Sequence, residues 1–183
     1  MKIGILPIGQ ADTGILMRTK EKLARVFPDT MCVVIDEKLP LREEDFDKKR
    51  KQYRSNAILS EIQGYAAKKA DLNRVLGVVD TDIFVPELNF VFGEAVCPGK
   101  AALISLWRLK PEFYGDVPNM ELFSARTLKE AVHELGHTLG LRHCPRSSCV
   151  MHFSNSVSDT DIKQSLFCDQ CYLHAITSIN NLG

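Results

Sequence analysis

Apolar positions along this chain follow two periods, and the switches between them lay out its elements. Residues 2–8 are apolar after Lys2, broken only by Gly4 and Pro7, and read as a first strand. Residues 15–27 take helical spacing and stop before Pro28. Residues 30–35 are β-branched and apolar and predict a second strand. Residues 42–54 are dense in charge and read as a loop or a solvated helix. In 55–69, Ile58, Leu59, Ile62, Tyr65 and Ala66 share one helix face, which predicts a second helix packed on a sheet. The order so far is βαβα.

Residues 74–79 predict a third strand and Asp80-Thr81-Asp82 a turn. Segments 89–96 and 101–107 flank Cys97-Pro98-Gly99 and read as a hairpin. Strands alternating with helices and closed by a hairpin imply a mixed sheet, largely parallel with one antiparallel strand. Residues 108–123, with Pro111, Gly115 and Pro118, read as a loop. A long helix follows, with Ser124 or Thr127 as its N-cap, Glu130 early in its course, and Leu128, Ala131, Leu135 and Leu139 on its apolar face. Residues 158–178 read as a C-terminal helix bearing Cys168 and Cys171 near its middle.

The long helix bears the chain's densest chemistry, His133-Glu134-Leu135-Gly136-His137-Thr138-Leu139-Gly140-Leu141-Arg142-His143. His133 and His137 stand at i and i+4, so their imidazoles share a face and can bind one metal ion. Gly140 is expected to end the helix in a left-handed conformation, turning the chain so that His143 reaches the open side of that ion. Three neutral nitrogens leave a fourth position for water, the ligand arithmetic of a catalytic zinc. Glu134 is placed to act as general base on that water.

This pattern resembles the metzincin clan of zinc peptidases, whose extended histidine motif is followed by a methionine turn. Met151, eight residues after His143, matches that turn. Cys144, Cys149, Cys168 and Cys171 narrow the resemblance to the archaemetzincin family, in which a second zinc lies beside the catalytic one. Four thiolates close a tetrahedral, structural zinc site; two disulfides are the alternative. The resemblance implies an α/β (α+β mixed) metzincin-like fold. That fold has an N-terminal twisted mixed β-sheet with backing helices, a zinc-binding active-site helix and a small C-terminal helical lobe. One catalytic domain would span 1–183, with lobes of about 1–140 and 141–183.

The implied activity is zinc-dependent hydrolysis of peptide bonds, with two zinc ions per chain, one catalytic and one structural. Some metzincins place a tyrosine two residues after the turn methionine; here that position is Phe153. Substrate would pair with an edge strand near Gly93, Glu94 and Ala95. Glu94 either meets a substrate amino terminus, which favours an aminopeptidase, or faces solvent. His152 and His174 are spare, and His174 is expected to be exposed. Cys32 and Cys97 read as buried free thiols.

Composition narrows the picture further. At 183 residues, 45% hydrophobic, the chain can bury a substantial core. Lys plus Arg and Asp plus Glu number 23 each, so net charge points to neither nucleic acid nor an anionic membrane as partner. The amino terminus is too short and broken for a signal peptide, and no apolar run is long enough to cross a membrane. A cytoplasmic protein is expected, where reduced thiols favour zinc over disulfides. The partner expected is a peptide or protein substrate, and the pattern sets no oligomeric state. Two other readings stay open: a zinc-dependent binding or regulatory protein with little turnover, and a metal-dependent ribonuclease, whose motif lacks the glutamate.

Overall fold

The computed structural model describes residues 1–182. In chain order the elements are β1 (Lys2–Ile8), α1 (Thr13–Val26), β2 (Met31–Val34), β3 (Phe46–Asp47), β4 (Gln52–Arg54), α2 (Ser55–Lys68), β5 (Arg74–Val79), β6 (Ile83–Phe84), β7 (Gly93–Ala95), β8 (Ala101–Ser105), α3 (Met120–Thr138), α4 (Val157–Ile162) and α5 (Asp169–Asn180). The main sheet has the order β2-β1-β5-β8-β7 and is parallel except at its edge, where β7 runs antiparallel to β8. The mixed α/β architecture is the one expected.

Both faces of the sheet are covered, and period-two alternation assigns each side chain to a layer. Ile3 and Ile5 of β1, Leu76 and Val78 of β5, and Ala102 and Ile104 of β8 face one side, where α1 and α3 supply Ile15, Leu16, Leu23, Leu128 and Val132. Their neighbours Leu6, Ile8, Val75, Val79, Ala101 and Leu103 face the other, against Ile58, Leu59 and Ile62 of α2. α3 also lies beside β7, which brings the histidine helix to the antiparallel edge of the sheet.

Four stretches differ from expectation. Residues 42–54 are neither a plain loop nor a helix: a 3-10 turn at Glu43–Asp45 leads into the β3/β4 hairpin, and β4 pairs in parallel with β6. Asp47 closes that hairpin, its Oδ1 accepting from the Lys49 and Arg50 amides at 2.9 and 3.0 Å. The 89–96 strand shrinks to Gly93–Ala95 because the Val91 amide leaves the ladder for the Ile83 carbonyl at 3.0 Å. Cys97, in the connection beyond it, is exposed rather than buried, while Cys32 is buried as expected.

The 108–123 segment coils into 3-10 turns, Trp107–Leu109 and Pro111–Tyr114, and α3 begins at Met120. Its cap is Asn119, whose side chain accepts from the Leu122 amide at 3.0 Å; Ser124 and Thr127 are buried inside the helix. Residues 158–178 form two helices instead of one. The intervening backbone pairs outward, with the Gln164 amide donating to Ser148 O at 2.9 Å and Leu166 O accepting from the Val150 amide at 3.0 Å. Cys168 therefore sits at the N-cap of α5 rather than mid-helix. Among the described residues no helix is long and apolar enough to cross a membrane.

Candidate metal centre and active-site cleft

α3 ends as its sequence dictates. Gly140 takes φ +89°, the Gly140 amide donates to His137 O at 2.9 Å, and the Leu141 amide donates to Gly136 O at 3.1 Å. This paired bonding satisfies the last helical carbonyls and reverses the chain. The reversal delivers His143 to His133 and His137: the ring centroids lie 4.7, 5.3 and 4.9 Å apart, and one ligand nitrogen from each ring lies within 4.8 Å of the others.

The rings are oriented from behind. His133 Nδ1 donates to Val150 O at 2.8 Å and His137 Nδ1 to Leu141 O at 2.7 Å. Since a carbonyl only accepts, each Nδ1 holds the proton and each Nε2 presents a lone pair; the two Nε2 atoms lie 3.1 Å apart. Burial holds all three imidazoles below their usual pKa, most strongly His133, and the Lys163 charge pushes the same way. They are therefore neutral near pH 7, the form that binds a cation.

Glu134 faces the same cleft and is 5% exposed. Burial pushes its carboxyl well above the usual carboxylate range, and the Glu130 and Glu94 charges add to the shift. Its side chain lies where a side chain on Gly93 would stand: a Cβ there would fall 2.6 Å from both Glu134 Cγ and Oε1. The edge strand β7 thus runs along the general-base candidate with nothing between them. The cleft, about 230 Å³, is walled by β7 and Phe90 on one side and by the histidines, Phe153 and Ser154 on the other. Glu94 is half-buried there, and its Oε2 is buried without a hydrogen-bond partner.

The four cysteines form a second cluster. Their sulfurs all lie within 4.8 Å of one another, and Cys144 Sγ is 3.9 Å from Cys168 Sγ. Tetrahedral zinc with bonds of about 2.3 Å separates its sulfurs by roughly 3.8 Å, so the spacing fits a closed four-thiolate site. The Cys168 amide donates to Cys149 Sγ at 3.3 Å. Backbone hydrogen bonds from Cys171 lower the Cys168 thiol to a pKa of about 7, whereas burial raises Cys171. The clusters are joined through the backbone, since Cys144 follows His143 and its amide donates to Met151 O at 2.9 Å.

Met151 is fully buried against Gly136, beneath the histidine helix. His152 stands near both clusters but belongs to neither, its Nδ1 donating to Cys144 O at 3.0 Å, and His174 is exposed on α5. Sequence reasoning missed Lys163, whose side chain is wholly buried and pairs with Glu130 at 3.0 Å behind the histidines. Lysine is almost never fully buried unless paired, but only the fold reveals that this one is.

Residues 14–177 match the model of peptidase family M54. The chain is 44% identical over 172 residues to the archaemetzincin of Methanocaldococcus jannaschii, covering 93% of this chain and 90% of that protein. It is 41% identical over 170 residues to the archaemetzincin of Pyrococcus abyssi, covering 91% and 90%. Among solved structures, archaemetzincin from Methanopyrus kandleri superposes with a TM-score of 0.86 at 35% identity, covering 98% of this chain and 96% of that one. A zinc-dependent peptidase from Methanocorpusculum labreanum gives 0.85 at 27% identity, covering 94% and 99%. With a histidine cluster suited to zinc and a match along nearly its whole length, the chain belongs to the archaemetzincins, the zinc metallopeptidases of family M54.

Proposed function

We propose that His133, His137 and His143 hold a catalytic zinc, that Cys144, Cys149, Cys168 and Cys171 hold a second, structural one, and that the enzyme removes residues from the amino terminus of peptides. A zinc ion at the histidines supplies a Lewis acid that brings the ionisation of water towards neutrality and stabilises negative charge on the scissile carbonyl. Glu134 accepts the proton of the attacking water and returns it to the leaving amine. Its buried carboxylate is a stronger base than a surface one, which suits that exchange.

The observation that carries this reading is the arrangement around Glu134: three imidazoles share its cleft, two of them with Nε2 lone pairs freed by their Nδ1 hydrogen bonds, and the edge strand β7 lies against it. An extended peptide can add to that edge with its scissile bond above the histidines. Glu94 supports the exopeptidase assignment. It lines the cleft and its Oε2 has no hydrogen-bond partner, and a peptide's α-ammonium is the donor every unblocked substrate supplies.

Kinetics on matched peptides with free and acetylated amino termini test this. The free peptides should be cleaved and the acetylated ones spared, with Glu94→Gln raising KM for the free series about tenfold. Equal cleavage of both series would make the enzyme an endopeptidase. Zinc-loaded protein that cuts neither would favour a binding role.

A further inference from the structure

Glu130 stands one turn before His133 and Glu134 on α3, so its side chain neighbours both on the helix surface and lines the same cleft. A free carboxylate there would be a second anion within reach of the histidine cluster. It is not free. Lys163 Nζ lies 3.0 Å from Glu130 Oε1, and Thr160 Oγ1 donates to that oxygen at 2.8 Å. Both charged side chains are almost fully buried, at 0% and 3% exposure. Lys163 Nζ also donates to His152 O at 3.4 Å, one residue beyond Met151.

A buried ion pair contributes little net stability, because desolvation offsets the attraction. What this one does fix is where a carboxylate points. We infer that Lys163 and Thr160 are positioning residues that hold Glu130 away from the histidine cluster, keeping the ligand set to three imidazoles and leaving Glu134 the only carboxylate presented to the reacting atoms. The inference rests on the assignment of a metal to the histidines. It asks that Lys163 act through Glu130, not through packing.

Because it concerns the ligand set, the test reads the metal site directly. Cobalt(II) replaces zinc in the full-length protein, and the visible bands of the histidine-bound ion are recorded for wild type, Lys163→Met, Glu130→Gln and the double variant, alongside kcat and KM. Lys163→Met should shift those bands and lower kcat about tenfold with KM little changed, the scale of loss typical of a partner behind a metal ligand. Glu130→Gln should leave the bands unchanged, and adding it to Lys163→Met should restore them. Thr160→Val, which removes only the hydrogen bond, should shift them in the same direction by less; it keeps the test open if Lys163→Met does not fold.

Unshifted bands in the folded Lys163→Met or Thr160→Val protein would overturn the inference. So would a shift that Glu130→Gln fails to reverse. Wild type that takes up no cobalt at the histidines would instead overturn the metal assignment, and this inference with it.

Discussion

Gly136 and Met151 meet across the gap between the histidine helix and the turn that follows it: a Cβ on Gly136 would strike the Met151 sulfur and come within 3.1 Å of its Cε. Met151 is fully buried, so the thioether would have to shift within the packed interior rather than into solvent. Gly136→Ala sets two effects against each other. Alanine gains up to about 1 kcal/mol of helix propensity, while overpacking a filled site costs about 1–3 kcal/mol. The second should prevail and lower Tm by a few degrees, read by thermal unfolding. A Tm at or above wild type would mean that the turn is loosely packed.

Gly93 faces the base candidate as closely as Gly136 faces the sulfur. A Cβ there would lie 2.6 Å from Glu134 and equally near the carbonyl oxygen of Leu103, which is backbone and cannot yield. Gly93→Ala should therefore displace Glu134, cutting kcat by about a hundredfold, the penalty for a small misplacement of a catalytic group. Zinc content and far-UV circular dichroism should stay unchanged. Retained kcat would show that Glu134 is not held by this contact.

The cysteine cluster makes a stoichiometric prediction. Cys168→Ala should lower zinc by one ion per chain and reduce Tm, because a structural zinc contributes its binding energy to folding. Inductively coupled plasma mass spectrometry reads the first and calorimetry the second. Unchanged zinc together with a Cys144–Cys149 crosslink would contradict the second site.

Acid titration separates a local electrostatic device from the metal sites. Ser156 and Asp159 form the capping box of α4, and the Ser156 side-chain hydrogen bond leads the interactions that hold the Asp159 carboxyl below its ordinary 3.8. With the folded pKa lowered, the carboxylate's contribution to stability is complete above the unfolded pKa and is lost as pH falls through the folded one. NMR titration should find Asp159 protonating below 3.8 in the wild type, and Ser156→Ala should return it towards that value. An unmoved titration would assign the shift to the backbone amides of Asn155 and Ser156 instead.

The histidine cluster was legible in the sequence because most of its geometry is local. His133 and His137 share a helix face by periodicity alone, and Gly140 marks where the chain turns to bring in His143. The α/β order of β1, α1, β2, α2 and β5 was legible for the same reason, these elements being strongly patterned, whereas the two- and three-residue strands β3, β4 and β6 were not. What depends on remote pairing was not. Ile162 and Leu166 extend a helical period through 158–178, yet they are 66% and 53% exposed, while Thr160 and Lys163 are buried. There the backbone of the 148–150 loop competes successfully with helix propensity for hydrogen bonds. The Glu130–Lys163 pair, 33 positions apart in sequence, exists only once α4 docks on α3. Asn119 escaped notice as the cap because the prolines around it suggested a loop that in fact coils into 3-10 turns.

The central claim is that zinc-loaded protein hydrolyses peptide bonds with Glu134 as base, and cleavage of a mixed peptide library by wild type and Glu134→Gln, each assayed for zinc, tests it most directly. Both proteins should carry two zinc ions per chain, and the wild type should shorten peptides from their amino ends. The variant should lose at least a hundredfold in kcat, in keeping with the loss of a positioned general base. Wild-type protein with both zinc ions that cuts nothing, or a variant that cuts as well as wild type, would contradict the account.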